Sequence, residues 1–461
     1  MHKTKKAWWW LAPLLAVAVI AAACGDDGSE SEPAVEEAPA AEEAPTAEAS
    51  VEETPATEAP AAAGEEIEVM ATWGDAEQAG FLEVLDAFTE ATGIQVSYTS
   101  ERDLPTVLPT RVAGGNPPDV ALIQRPGLIQ QFVDDGVAFS YADLGVDMSN
   151  INANYSQSTL DLGTFNGELY GLLTASNSKS TFWYKPASLE ALGHDTPNTF
   201  DELLDIVVAY ADNGQVPLSI GGMDGWTLTD WFENIYVRIA GPEMYNKLFV
   251  THEIAWTDPT VVQAMERFRD LIAPTDERLA GGAAGTNSTG FIDAWDIVLA
   301  GDAELYYEGG FMGNFARDNF PDLVSGKDYS FFEFPEIDSQ WGKPVVGGGD
   351  FAVGLVNSPE VRAFIEFMAS PEASAVWATV EAGARITPNQ GVSADLFGDE
   401  LTKLEAAQIK AASIFVFDGS DLAPGAIGGD AMFTALQDFI ANPDDIDGPL
   451  EFIEAAALGA Y

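Results

Sequence analysis

Between residues 67 and 123 the chain alternates two hydrophobic periods, and this alternation limits the possible folds more than any other feature. An apolar run, Glu68-Val69-Met70-Ala71-Thr72-Trp73, is broken by Gly74-Asp75. Phe81, Leu82, Leu85 and Phe88 then recur at helical spacing, with Glu83, Asp86 and Glu90 on the other side. Gly93 follows, where a left-handed helix end favours glycine. Ile94, Val96 and Tyr98 alternate with polar residues, as a strand does. A second helical segment covers 107–113 and is stopped by Gly114-Gly115-Asn116-Pro117-Pro118. Asp119-Val120-Ala121-Leu122-Ile123 reads as a strand buried on both faces. Strand, helix, strand, helix, strand is the pattern of a parallel α/β sheet with right-handed crossovers. Such sheets bind ligands at the carboxyl ends of their strands, here Trp73-Gly74-Asp75 and Gln124-Arg125-Pro126.

The amino terminus predicts export. Lys3, Lys5 and Lys6 precede an apolar run over 7–23, followed by Cys24-Gly25, so residues 1–23 read as a signal peptide. The same run kept uncleaved would be a membrane anchor, but it is short for a spanning helix and contains Pro13. Cys24 is the only cysteine, which excludes intrachain disulfides and cysteine-based metal sites. Residues 24–66 are mostly Ala, Glu, Pro, Thr and Ser; they bury too little to offset ordering entropy and read as an acidic tether. The formal net charge of −54 makes nucleic acid and anionic membranes poor partners. It leaves open a solubilising surface or an acidic pocket for a cation.

Further along, Thr199-Phe200-Asp201-Glu202 is a capping box ahead of a helix on Leu203, Leu204, Val207 and Val208. Residues 221–232 read as a Gly-, Asp- and Thr-rich loop carrying Trp226 and Trp231, and 281–290 as a second loop without nucleotide-binding spacing. A helix over 291–300 leads to a strand before Gly309-Gly310. Ser358-Pro359 and Ser370-Pro371 each start a helix, with the serine as cap. The remainder reads as mostly helical. His2, His194 and His252 are scattered, and the HExxH and GxSxG patterns are absent, so the chain is expected not to be an enzyme and to use no metal or cofactor. Carboxylates are plentiful enough for a glycosidase pair to arise by chance, and their spatial separation would decide that reading.

Several of these stretches, in order, resemble the extracellular solute-binding proteins of ABC sugar importers, relatives of the maltose-binding protein. They are Trp73, then 81–88, then Thr92-Gly93-Ile94-x-Val96, then Gly114-x-x-Pro117-x-Asp119-Val120. Asn177-x-Lys179-Ser180-x-x-Trp183-Tyr184 is closest to the α-glucoside-binding branch, and Ala363 to Trp377 is among the stronger matches. Departures are Leu173 for a usual proline, Phe200 for a usual tryptophan, and Ala21 for the usual leucine before a lipidated cysteine. The resemblance covers Glu66 to about Pro388.

The resemblance implies a two-lobed periplasmic-binding-protein fold, a clamshell whose lobes each hold a mixed, mostly parallel sheet flanked by helices. The expected division is 67–176 and 344–390 in the first lobe, with 177–343 and 391–461 in the second. It also implies a lipid on Cys24 anchoring the protein outside the cell membrane, permease subunits of an ABC transporter as partners, and a monomer. The ligand it implies is a carbohydrate, such as an α-glucoside oligosaccharide, enclosed by lobe closure. A polyamine, glycerol phosphate or peptide in the same fold is the alternative, with a secreted glycosidase or an adhesin further off. Sugar rings stack on indoles and their hydroxyls need fixed donors and acceptors. The candidate binding residues are therefore Trp73, Trp226, Trp231 and Trp341, with Asp75, Glu77, Gln124, Arg125, Asn177, Glu308, Asp350 and Arg385. Each tryptophan is equally readable as core packing.

Overall fold

The computed structural model describes residues 66–380 and 383–461. The expected signal segment, Cys24 and nearly all of the tether lie outside the described residues. The strand Glu66–Ala71 pairs in parallel with Gln95–Ser100 and with Val120–Ile123. The helix Asp75–Thr92 makes the first crossover and buries Phe81, Val84, Leu85 and Phe88. Gly93 ends it at φ 79°, donating its N–H to the Thr89 carbonyl at 2.8 Å, as the sequence predicts. All of Val120–Ile123 is buried, which explains its unbroken apolar run.

The long strand Val345–Gly354 completes this sheet. It runs antiparallel beside Val120–Ile123 and Gly171–Ser178, and parallel to Phe415–Phe417. A second sheet of four strands is ordered Ser330–Glu333, Thr181–Tyr184, Leu305–Glu308, Leu218–Ser219. The core on this second sheet gathers Phe182, Trp231, Phe268, Phe334 and Phe439. The chain passes from the six-stranded to the four-stranded sheet through Lys179-Ser180, returns between Glu333 and Val345, and leaves again after Phe417. These passages are tied together. Lys179 donates its N–H to the Val346 carbonyl at 2.8 Å, Val346 donates to the Ser180 hydroxyl at 2.9 Å, and Gln408 donates to the Ser180 carbonyl at 3.0 Å.

Local signals hold well. Thr199 and Glu202 form the reciprocal capping box of the helix Phe200–Asp212. Ser358 and Ser370 cap Pro359–Met368 and Pro371–Thr379, and the helix Phe291–Ala300 has the expected bounds. Two loop expectations fail, and the carboxyl-terminal part, mostly helical as expected, holds one short strand. The stretch read as a loop over 221–232 is a short turn followed by the start of the helix Trp226–Phe249. That helix is buried nearly all round from Thr227 to Arg238, so it lacks the polar stripe that marks a helix in sequence. Its Thr, Asp, Glu, Asn and Arg side chains mimic a loop composition but are interior groups: Asn234 donates to the Lys179 carbonyl at 2.8 Å, and Arg238 to the Pro344 carbonyl at 2.6 Å. Within the loop expected over 281–290 lies the short helix Gly282–Thr286. The carboxyl-terminal part read as helical also contributes the strand Phe415–Phe417 to the six-stranded sheet, too short to leave a period.

Candidate functional site

A cavity of about 190 Å³ lies between the carboxyl ends of the first sheet and the helices of the second. Its two walls differ in kind. From the first sheet come Thr72, Trp73 and Glu77 after the opening strand, Arg102 after the second, and Gln124 and Arg125 after the third. Asn177, Asp350 and Arg385 join them from the neighbouring strands and the loop beyond Pro371–Thr379. The opposite wall is Trp226, Phe291, Phe311 and Phe315. Phe291 lies 5.1 Å from Trp226 and 5.7 Å from Phe315, so these rings form one aromatic surface.

The polar wall is preorganised. Gln124 donates one amide group to Asp350 Oδ1 at 2.5 Å and to Thr72 Oγ1 at 2.9 Å. Burial pushes the Asp350 carboxyl up to about 6, against the pull of Arg385 and Gln124. Glu77 accepts from Arg102 at 3.0 Å on one oxygen and from Arg385 on the other. Asn177 Oδ1 is buried without a hydrogen-bond donor among the described residues. The guanidinium of Arg385 lies 5.5 Å over the Trp73 ring.

Trp73 lines the cavity and is at the same time part of the packed core of its lobe. It is 2% exposed, makes T-shaped contacts with Phe81 and Trp377, and carries the Arg385 guanidinium over its ring. Trp231 is a core residue, 1% exposed and stacked on Phe268 at 5.4 Å. It sits on the buried helix that the sequence disguised as a loop. Trp341 also lies away from the cavity lining, its indole N–H donating to the Ile239 carbonyl at 3.2 Å. Its ring covers Gly241, whose φ of 78° and lack of a Cβ make that seat possible. Glu308 is buried in the second sheet rather than at the cavity wall, and burial pushes its carboxyl up to about 8. Asp75 is on the rim, exposed, 3.4 Å from Arg102.

The structure thus brings together Trp73, Glu77, Gln124, Arg125, Asn177, Trp226, Asp350 and Arg385. Sequence reasoning missed Arg102, Lys179 and Asp421, and the phenylalanines of the second wall. Arg102 follows a strand of the parallel sheet, so the carboxyl-end rule applied to Gln95–Ser100 would have found it. Phe291 and Phe315 sit in helices away from strand ends and carry no such signal.

At the cavity wall Lys179 also bridges the passages between the sheets. Its ammonium pairs with Asp418, lies 3.2 Å from Asp230 and 4.0 Å from Asp421, and is 5.3 Å from the Trp226 ring. Burial opposes the ammonium, but these carboxylates raise its pKa well above the ordinary lysine value. Burial alone would lift Asp418 too, yet Lys179 holds it down at about 2. Asp230, Glu233 and Asp418 are, among the described residues, a group whose oxygens lie within 4.8 Å of one another. The Lys179 ammonium already supplies a cation to two of them, and Glu233 accepts from Tyr245, Gly419 and Ser420, so these groups read as an internal ion network.

Residues 73–375 match the family described as bacterial extracellular solute-binding protein. The chain is 33% identical over 396 residues to the alpha-glucosides-binding periplasmic protein AglE of Rhizobium meliloti (strain 1021), covering 83% of this chain and 85% of that one. It is 31% identical over 366 residues to the osmoprotective compounds-binding protein GgtB of Synechocystis sp., covering 78% and 85%. Among solved structures, the solute receptor AcbH superposes with a TM-score of 0.76 at 20% identity, over 86% of this chain and 99% of that one. RafE in complex with raffinose gives 0.69 at 19% identity, over 85% and 98%. At these identities the solved structures speak for the fold, and it is the two-lobed one that the residues resemble.

Proposed function

We propose that this chain, which belongs to the family of bacterial extracellular solute-binding proteins, captures a saccharide of the α-glucoside type and delivers it to the permease of an ABC transporter. The observation that carries this reading is the division of the cavity into a hydrogen-bonding wall and an aromatic wall. A pyranoside has the matching halves: a rim of hydroxyls and C–H faces that pack on rings. Asp350, Gln124 and the unpartnered Asn177 oxygen offer fixed donors and acceptors, while Trp226 offers the face. The names of AglE and GgtB support an α-glucoside or a small osmoprotective solute.

The lining argues against a polyamine, since it holds Arg102, Arg125, Lys179 and Arg385. These cations are paired with Glu77, Asp421 and Asp418, which suits a neutral polyol better than a phosphate. Ligand contact with both walls would favour the closed state, because only differential affinity shifts such an equilibrium. Export, lipidation at Cys24 and attachment to the outer face of the membrane complete the reading. The test is calorimetry against trehalose, sucrose, maltose, galactose and raffinose with a folded sample. Binding of a glucoside supports it, and heat from none of them removes the saccharide assignment.

A further inference from the structure

We propose that Glu308 is a positioning residue for the cavity: one proton shared between its carboxyl and that of Asp230 holds Asp230, and through it Lys179, in place. Its effect on binding rests on the saccharide reading above. Lys179 lines the cavity, while Asp230 and Glu308 are fully buried outside the lining. Glu308 ends the strand Leu305–Glu308, and Asp230 lies one turn after Trp226 on the helix Trp226–Phe249. Tyr307 fastens strand, helix and passage together. Its hydroxyl is 2.6 Å from the Lys179 carbonyl oxygen and 3.0 Å from that of Asp230.

A count of donors locates the proton. Asp230 Oδ1 faces the Lys179 ammonium at 3.2 Å, and Glu308 Oε1 accepts the Gly309 N–H at 3.0 Å. Asp230 Oδ2 and Glu308 Oε2 have no donor among the described residues. Their neighbours are supplied. Asp418 pairs with Lys179 and accepts from the Ser420 hydroxyl at 2.8 Å and the Asp421 N–H at 3.0 Å. Both oxygens of Glu233 accept as well, from Tyr245 and Gly419 on one side and Ser420 on the other. Asp230 and Glu308 lie within hydrogen-bonding reach of each other. Two carboxyls make such a contact only when one carries a proton; ionised together, they repel at close range in a site that screens little. The groups around the pair keep the proton there. Asp418 and Glu233 face Asp230 as further carboxyls, and Asp421 shares the Lys179 ammonium at 4.0 Å. Tyr306 and Tyr307 stay neutral, because burial and these acids push their hydroxyls well above the ordinary value. The ammonium of Lys179 lies 5.3 Å from the Trp226 ring, between that ring and the carboxylates. Once the proton leaves, repulsion turns Asp230 from Glu308, and Lys179 loses its seat at the cavity wall.

The experiment is titration calorimetry with trehalose, sucrose and maltose at pH 7 and pH 9, on the wild type, Glu308→Gln and Glu308→Ala. The wild type should bind about tenfold more weakly at pH 9, because burial sets Glu308 at about 8 and the required proton is lost between the two. The amide of Glu308→Gln donates to Asp230 without titrating, so the fall should shrink to within about twofold. Glu308→Ala supplies no donor and should bind weakly at both values. Asp230→Asn places the same amide on the other side of the contact and replaces Glu308→Gln if that variant does not fold. Urea unfolding between about pH 5.5 and 7.5 gives a readout without ligand. The folded state holds a proton there that the unfolded chain has released, so wild-type stability falls as pH rises. The amide variant should remove about one proton from that dependence, a roughly tenfold change in the unfolding constant per pH unit. Equal wild-type affinity at both pH values, a fall that persists in the amide variants, or an unchanged urea slope overturns the proposal and leaves the saccharide reading intact. Failure of every saccharide to bind the folded wild type overturns the saccharide reading, and the urea slope then decides the shared proton by itself.

Discussion

Replacing Lys179 with methionine tests the ion network that borders the cavity. The substitution keeps an unbranched stem one atom shorter and removes the charge. In the wild type Asp418 sits at about 2 rather than its ordinary 3.8, through the ammonium of Lys179 and the hydrogen bonds around it. A depressed carboxylate contributes stability that is present above the unfolded pKa and lost as pH falls through the folded one. A shift of this size corresponds to about 2 kcal/mol at neutral pH. Asp230 and Asp421 lose the same partner, so the total loss approaches the roughly 3–5 kcal/mol typical of breaking a buried pair. The orphaned carboxylates can escape part of this cost by taking up protons. The deficit of Lys179→Met should therefore be largest near pH 8 and smaller near pH 5, where protonation neutralises them. Urea denaturation of both proteins at the two pH values measures it. A deficit below about 0.5 kcal/mol at both, or one larger at the acidic pH, would refute the claim that Lys179 is the counter-charge of this cluster.

The two tryptophans of the buried helix should separate cleanly. Trp226→Ala should weaken ligand binding by about 1–3 kcal/mol with little loss of stability, because its ring faces the cavity. Trp231→Ala should cost about 3–5 kcal/mol of stability, because its ring is core, and loss of affinity in its folded fraction would contradict that placement. Wild-type stability should fall as pH rises from about 5 to about 8. Asp350 is raised by burial to about 6, Asp421 and Glu405 to about 7, and Glu308 to about 8, so the folded state holds protons that the unfolded chain has already released. A melting temperature that climbs over this interval would show that the net effect of these groups is the reverse.

How much of this was legible follows from where each signal resides. The helices capped by Thr199, Ser358 and Ser370 were readable because a cap is a contact between residues three apart. The parallel sheet and its ligand-binding edge were readable because two periods alternate over 67–123, and that rule alone delivers Trp73, Gln124 and Arg125 to the cavity. The helix from Trp226 was invisible for the opposite reason: its first half, wrapped on all sides from Thr227 to Arg238, has no solvent face to give it a period. Its polar residues are explained only by partners far along the chain, such as the Asp230 and Lys179 pair. The same holds for Trp231 and Trp341, since an indole reads alike in a core, over Gly241 or in a cavity. The sequence by itself determined the capped helices, the parallel sheet over 67–123 and the family resemblance, all carried by contacts within a few residues or by repeating patterns. Tertiary structure alone decided which rings line the cavity, that Arg385 lies on Trp73, and that Lys179 meets Asp418 from 239 residues away. Those pairings arise when the chain crosses between two sheets three times, and no local pattern encodes which distant side chains such crossings bring together.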